Sequence, residues 1–330
     1  MTKKIRIGVL FGGKSAEHEI SLLSAKNVIE AMDKNKYEII LIGIDKNGEW
    51  HLRDALQFLE HHENPKRIHL QGKKDKVALV AKEDGQQLVS LKSPSFSESL
   101  DVIFPILHGP YGEDGTVQGL LKLANIPFVG AGVLSSAMCM DKDVMKRLLR
   151  DAALPIPKFL TLHSHRVHAL DYETIKQDLG HPFFIKPANL GSSVGVHKVR
   201  DDVQFRGAVS DAFKYDHKIL AEEFIPGREI ECSVLGNEDP IASLPGEVIP
   251  THDFYSYEAK YIDENGASLK FPADLSHELQ TRVQTLAIEA YRTLCCEGMA
   301  RVDFFLKESG EVVINELNTI PGFTHISMYP

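Results

Sequence analysis

The sequence predicts an α/β protein: an open, mostly parallel sheet in the first part and mixed strands and helices in the remainder. Three observations predict it. Short β-branched runs alternate with stretches of helical periodicity early in the chain, glycine-bearing loops end two of those runs, and a proline-bounded helix leads into a series of strand pairs. With 330 residues, 43% of them apolar, the chain can build two or three cores.

The run Ile5 to Phe11 ends at Gly12-Gly13 and is followed by SAEHEISLLSAKNVIEAM. There Ile20, Leu23, Val28 and Met32 recur at near-helical spacing, which gives strand, glycine turn, helix. Tyr37 to Ile44 supplies a second strand, and DVIFPIL (Asp101 to Leu107) a third, ended by His108-Gly109 with a helix expected from Gly115 to Ala124. In such sheets ligands lie at the carboxyl ends of the strands, where both glycine loops stand. Trp50 to Ser99 is polar, lysine-rich and poorly periodic, and reads as an elaboration of the first domain. A helix over Asp141 to Ala153 is closed by LPIPKF, whose prolines mark the start of a second unit.

From Pro182, HPFFIKPANLGSSVGVHKV gives an apolar strand, a Gly/Ser loop and a β-branched strand. A helix near Val203 to Phe213 precedes KILAEEFIPGREIECSVL, which reads as strand, turn at Pro226-Gly227, strand. The last region alternates strand (Met299 to Leu306), turn (Glu308 to Gly310), strand (Val312 to Glu316) and the loop NTIPGFT.

The formal net charge of -9 is spread over interspersed acidic and basic residues, so no basic face for nucleic acid or anionic lipid is visible and a small-molecule substrate is expected. No stretch approaches the roughly 18 apolar residues of a membrane span. The basic start MTKKIRIGVLFGG resembles a secretory signal only superficially, since Arg6 interrupts the apolar run and no small-residue cleavage site follows. A cytoplasmic location is the expectation. Four cysteines without metal-finger spacing read as buried thiols in a reducing compartment.

Asn189 to Gly195 (NLGSSVG) has the small residues that let backbone N–H groups and hydroxyls approach anionic oxygens, though it lacks P-loop spacing and Gly/Ser loops are commonly plain turns. Lys186, just before it, is either a point charge for phosphate or a surface lysine at a strand end. The stronger signal is C-terminal. Asp303 in MARVDFFL, with Glu316 and Asn318 in INELN, can be brought together by two adjacent strands into a cluster of hard oxygen ligands suited to Mg²⁺. Arg301 precedes Asp303 by two and shares its face, where a cation can stabilise charge developing in an acyl or phosphoryl transition state.

GGKSAEHEIS, HGPYGEDGTVQG, MDK, IKPANLGSSVGV, YEAKY, RVDFFL and INELNTIPGFT together resemble the ordered motif set of bacterial D-alanine–D-alanine ligases of the ATP-grasp superfamily, spanning Gly12 to Ser327. The resemblance implies an α/β ATP-grasp fold: a Rossmann-like N-terminal domain over 1–136, then two α+β subdomains, 137–219 and 220–330, sandwiching ATP. It implies that Lys142 and Lys186 meet the phosphates of ATP, that Ser193 and its loop close over them, and that Glu222 and Glu229 contact adenine and ribose, with Lys260 and Phe305 also in the nucleotide site. Asp303, Glu316 and Asn318 match the ligands of two Mg²⁺ or Mn²⁺ ions, and a monovalent cation such as K⁺ is a further candidate.

For the first D-alanine, Glu17 matches the carboxylate that meets the ammonium group, linked to Ser192 and Tyr261; by position alone it is equally a first-turn helix glutamate favoured by the macrodipole. Arg301 and the Gly322 N–H match the oxyanion-stabilising pair. His108, Ser327 and Met328 match residues near the second substrate, although a loop histidine can also serve local hydrogen bonds. Lys260 and Tyr261 match a closing loop that keeps water from an acyl phosphate.

The implied reaction is phosphorylation of one D-alanine by ATP, then attack by the amine of a second to give the peptidoglycan dipeptide, in a homodimer built through the first domain. Relatives that accept D-lactate usually carry phenylalanine on the closing loop, so Tyr261 favours the amine. A non-catalytic nucleotide-binding module is the alternative from another class, but binding alone needs no oxyanion donor beside the metal ligands. The family usually continues past PGFT into a further helical stretch, whereas this sequence ends at Pro330, close behind Ser327.

Overall fold

The computed structural model describes residues 3–53, 59–60, 68–70, 75–81, 87–93, 97–169, 171–250 and 267–330. Two compact units emerge: Met1–Ala137 with Thr319–Pro330, and Met138–Asn318.

In the first unit, strand Ile5–Gly12 pairs in parallel with Tyr37–Ile44 on one side and Val102–Ile106 on the other, while Trp50–Arg53 adds an antiparallel edge. Strand residues alternate between the two faces of the sheet. Ile7, Val9 and Phe11 pack with Leu22, Ala25 and Ile29 of helix His18–Ala31, and Leu10 and Ile42 face Val117 and Leu121 of helix Thr116–Leu123. Cores on both faces explain the continuous hydrophobicity of IRIGVLFG. Within the stretch read only as an elaboration, Val77–Leu79, Leu88–Ser90 and Ser97–Glu98 form a small antiparallel sheet. The segment from Thr319, which the sequence reading placed in the third domain, belongs with the first unit because Phe323 packs against Phe104 and Asn27 Nδ2 donates to the Phe323 carbonyl.

The second unit contains two antiparallel sheets. Strands Phe159–His163, Lys218–Glu223, Phe183–Pro187 and His197–Val199 form one, packed on helices Tyr172–Leu179 and Asp202–Ala212. Among the described residues the other has six strands centred on Arg228–Leu235, Met299–Leu306 and Val312–Asn318; it packs on helix His277–Thr293, which the sequence reading did not single out, and on helix Lys142–Asp151. KILAEEFIPGREIECSVL therefore contributes to both sheets. Its first strand lies wholly in the four-stranded sheet, so the break between the sheets falls at the Pro226-Gly227 turn, not at 219/220. Asp141, Asp171, Asp201 and Ser276 cap their helices through side-chain oxygens.

Candidate active site

In the six-stranded sheet, Ala300, Val302, Phe304 and Leu306 are buried in the core, which turns Arg301, Asp303 and Phe305 to the opposite face. Glu231 lies opposite Asp303 and Glu229 opposite Phe305 on one neighbouring strand. On the other, Glu316 lies opposite Asp303 and Asn318 opposite Arg301, and this depends on a register shift at Asp303/Phe304. Continuing the register of Phe304 with Ile314 would set Glu316 against Val302, on the core side. Asn315 is the extra residue that re-aims Glu316 and Asn318 onto the polar face.

The guanidinium of Arg301 donates from Nε and Nη2 to the two oxygens of Asp303, each at 2.7 Å, and lies 3.4 Å from Glu231. Asn318 Nδ2 donates to Asp303 at 3.0 Å. Burial alone would pull the Arg301 pKa down, but Asp303 and Glu231 outweigh it and hold the guanidinium well above its ordinary value. Lys142 Nζ stands 3.4 Å from Glu316. Three carboxylates thus face two cations, with the amide oxygen of Asn318 beside them. Hard oxygens with excess negative charge fit Mg²⁺ or Mn²⁺.

In the four-stranded sheet Phe183 and Ile185 face the core, which turns Lys186 the other way, beside Glu222. The buried Glu222 carboxylate lies 2.5 Å from Lys186 Nζ and 2.8 Å from Lys146 Nζ. Burial raises the Glu222 pKa, but the two ammonium groups more than reverse this. Lys146 is fully enclosed and donates to the Asn315 carbonyl; burial pulls its pKa down to about 8. Lys142 Nζ donates to the Leu190 carbonyl at 2.6 Å. In the loop beyond, Ser192 and Ser193 both adopt left-handed backbone, at φ 52° and 57°. That conformation costs roughly 1–2 kcal/mol per L-residue, and such strain collects at ligand-holding loops. Lys142, Lys186, Ser192, Ser193, Glu222, Glu229, Phe305 and Glu316 all line one cavity of this unit.

In the first unit, Glu17 is the N-cap residue of helix His18–Ala31, yet its side chain makes no capping hydrogen bond. Its Oε2 instead reaches toward Gly109, where a Cβ would stand 2.7 Å from it. Gly109 has φ 76° and donates its N–H to Glu113. His108 is buried, with Nδ1 3.0 Å from the Ile320 carbonyl and Nε2 3.0 Å from Ser24 Oγ. The carbonyl can only accept, so Nδ1 carries a proton and donates it, while Nε2 pairs with the Ser24 hydroxyl. Both ring nitrogens serve local bonds that tie the strand end to the helix and to the C-terminal segment. Near the chain end, Ser327 Oγ lies 2.9 Å from Thr324 Oγ1 and accepts from Thr324 N–H, with Gly322 close beside it and Met328 half-buried. Lys260 and Tyr261 lie outside the described residues.

Two family models cover almost the whole chain: "D-ala D-ala ligase N-terminus" over residues 6–131 and "D-ala D-ala ligase C-terminus" over 148–330. The chain belongs to the D-alanine–D-alanine ligase family. It is 54% identical to the D-alanine–D-alanine ligase of Oceanobacillus iheyensis, with 99% of this chain and 89% of the relative aligned, and 55% identical to that of Shouchella clausii, at 100% and 89%. The D-alanine–D-alanine ligase A of Escherichia coli K12 is 52% identical, at 99% and 90%. Among solved structures, the D-alanine–D-alanine ligase of Coxiella burnetii superposes with a TM-score of 0.86 at 40% identity, covering all of this chain and 88% of that one. The VanG D-Ala:D-Ser ligase of Enterococcus faecalis gives 0.85 at 36%, covering 99% and 94%.

Sequence reasoning missed three residues that the structure sets against candidate site residues or their neighbours: Lys146 against Glu222, Glu231 against Arg301 and Glu113 against Gly109. Lys146 is one helical turn beyond Lys142, and Glu231 alternates with Glu229 as Asp303 does with Arg301. Those spacings were the available signals.

Proposed function

We propose that this ligase joins two molecules of D-alanine into D-alanyl-D-alanine with ATP, through a D-alanyl phosphate, for peptidoglycan precursor synthesis. The single polar face carrying Arg301, Asp303, Glu316 and Asn318 supports this reading best, because nucleotide binding alone needs no half-buried guanidinium beside the metal ligands.

Asp303, Glu316 and Asn318 would hold two Mg²⁺ or Mn²⁺ ions, which when bound neutralise phosphate charge and orient the γ-phosphoryl group. Lys142 and Lys186 supply point charges for the phosphate oxygens, and Ser193 with its loop covers them. Glu229 and Phe305 meet the nucleoside. Glu222, expected there too, also fixes the position of Lys186.

Glu17 receives the ammonium of the first D-alanine, in a chain with Ser192 and Tyr261. A carboxylate oxygen of that substrate attacks the γ-phosphorus and ADP departs. The amine of the second D-alanine, whose carboxylate is held at Ser327 near Met328, then attacks the acyl carbon. Arg301 and the Gly322 N–H meet the developing oxyanion, and phosphate leaves. His108 stands near the second substrate and orders the surrounding loop. Lys260 and Tyr261 exclude water while the acyl phosphate exists.

The proposal extends to three domains, read from the sequence as 1–136, 137–219 and 220–330 and adjusted so that 319–330 joins the first and the break between the other two falls at the Pro226-Gly227 turn. It also includes a homodimer joined through the first domain, activation by a monovalent cation such as K⁺, and a cytoplasmic location. Among the described residues no helix is long and apolar enough to cross a membrane. ADP formation from Mg²⁺–ATP tests the central reading: it is expected with D-alanine and not with L-alanine, yielding the dipeptide by mass. ADP formation indifferent to D-alanine would overturn it.

A further inference from the structure

A second group of ligating side chains lies in the first unit, among residues with no part in the proposed reaction. Strand Tyr37–Ile44 turns back into Trp50–Arg53 through a tight loop in which Gly48, at φ 85°, donates to the Asp45 carbonyl and Asp45 N–H donates to that of Glu49. Asp45 Oδ1 accepts the N–H groups of Asn47 and Glu49, at 2.9 and 3.0 Å, which fixes the carboxylate with Oδ2 turned toward His51. Lys76 Nζ donates to Glu49 Oε1, so Oε2 is the Glu49 oxygen turned to the same imidazole.

His51 is completely buried, and among the described residues neither ring nitrogen has a hydrogen-bond partner. Its Nε2 stands 3.7 Å from Asp45 Oδ2 and 3.6 Å from Glu49 Oε2. Those separations are too long for N–H···O bonds. They match the spacing of ligands around a shared ion: bonds of about 2.1 Å in tetrahedral array put ligand atoms about 3.4 Å apart. One ligand atom from each residue falls within 4.8 Å of the others. An enclosed imidazole without partners is costly, and an ion bound to Nε2 would answer that nitrogen and both carboxylates together.

We infer that Asp45, Glu49 and His51 bind a divalent transition-metal ion of the Zn²⁺ class, fastening the turn that closes this edge of the sheet. An imidazole with two carboxylates selects such an ion over Mg²⁺, which takes oxygen ligands. The neighbouring cation Lys76 sits on the far oxygen of Glu49 and helps hold it in place.

The test uses the full chain, stripped with chelator and dialysed against Zn²⁺ while excess Mg²⁺ occupies oxygen-ligand sites. One tightly held Zn²⁺ per chain is expected, with affinity falling at least about tenfold in both Asp45→Asn and Glu49→Gln. Zn²⁺ should also raise the thermal midpoint of the parent and not of the variants. Glu49 is half-buried, so Glu49→Gln reads the site even where Asp45→Asn loosens the turn; its metal-free midpoint should equal the parent's. Equal Zn²⁺ affinity in the parent and Glu49→Gln, or no uptake at micromolar Zn²⁺, would overturn the assignment.

Discussion

Changing Glu222 to glutamine would remove the carboxylate that answers two buried ammonium groups. Lys146 Nζ lies 2.8 Å from one of its oxygens and Lys186 Nζ 2.5 Å from the other. Glutamine has nearly the same shape, so packing is preserved while both cations lose their counter-charge. Removing one partner of a buried ion pair costs about 3–5 kcal/mol. For a unit of this size each kcal/mol moves the midpoint by roughly 2–4 °C, so a fall of roughly 6–20 °C is expected. Calorimetry on nucleotide-free protein reads this directly. Lys146→Met is the matched control: Glu222 keeps Lys186, no buried charge is orphaned, and the loss should stay within about 2 kcal/mol. A Glu222→Gln midpoint within about 2 °C of the parent, or an equal loss in Lys146→Met, would refute the charge-pair reasoning.

Arg301→Lys cannot reproduce the two-pronged contact with Asp303 and should lower kcat by about 10²–10³ with KM for ATP within a few-fold, read by steady-state kinetics. Glu17→Gln removes a charge-assisted bond to the substrate ammonium and should raise KM for D-alanine by roughly 10–100-fold, with kcat changed less. The depressed pKa of Lys146 gives a pH signature. Between about 8 and its ordinary value the folded chain binds fewer protons here than the unfolded chain, so this group's contribution to stability rises with pH and is lost as pH falls through about 8. Denaturant titrations should show the parent gaining on Lys146→Met across that interval, by at most about 1.4 kcal/mol per pH unit, and a constant gap would contradict it.

Period-two spacing made the shared face of Arg301 and Asp303 legible in the sequence, and the alternation of strand and helix through the first part announced an open parallel sheet. The placement of Glu316 was not legible in the same way. Alternation through VVINELN breaks at Asn315, and only the observed register shows that the break re-aims the metal ligands. In the Gly/Ser loop the left-handed conformations fall on Ser192 and Ser193 as well as on Gly195, which the residue pattern alone does not announce. Lys146 is in sequence one more helical lysine, since enclosure depends on the irregular residue of a strand and on a carboxylate far away in the chain. For His108 the sequence left a substrate role and a local one open, and the structure supplies partners for both ring nitrogens.

The most direct measurement uses D-alanine carrying ¹⁸O in both carboxylate oxygens, with Mg²⁺–ATP, and mass analysis of the phosphate released. Reaction through D-alanyl phosphate transfers one ¹⁸O from the carboxylate of the first substrate into each phosphate while the dipeptide forms. Phosphate free of ¹⁸O, or ADP formed without dipeptide, would contradict the account.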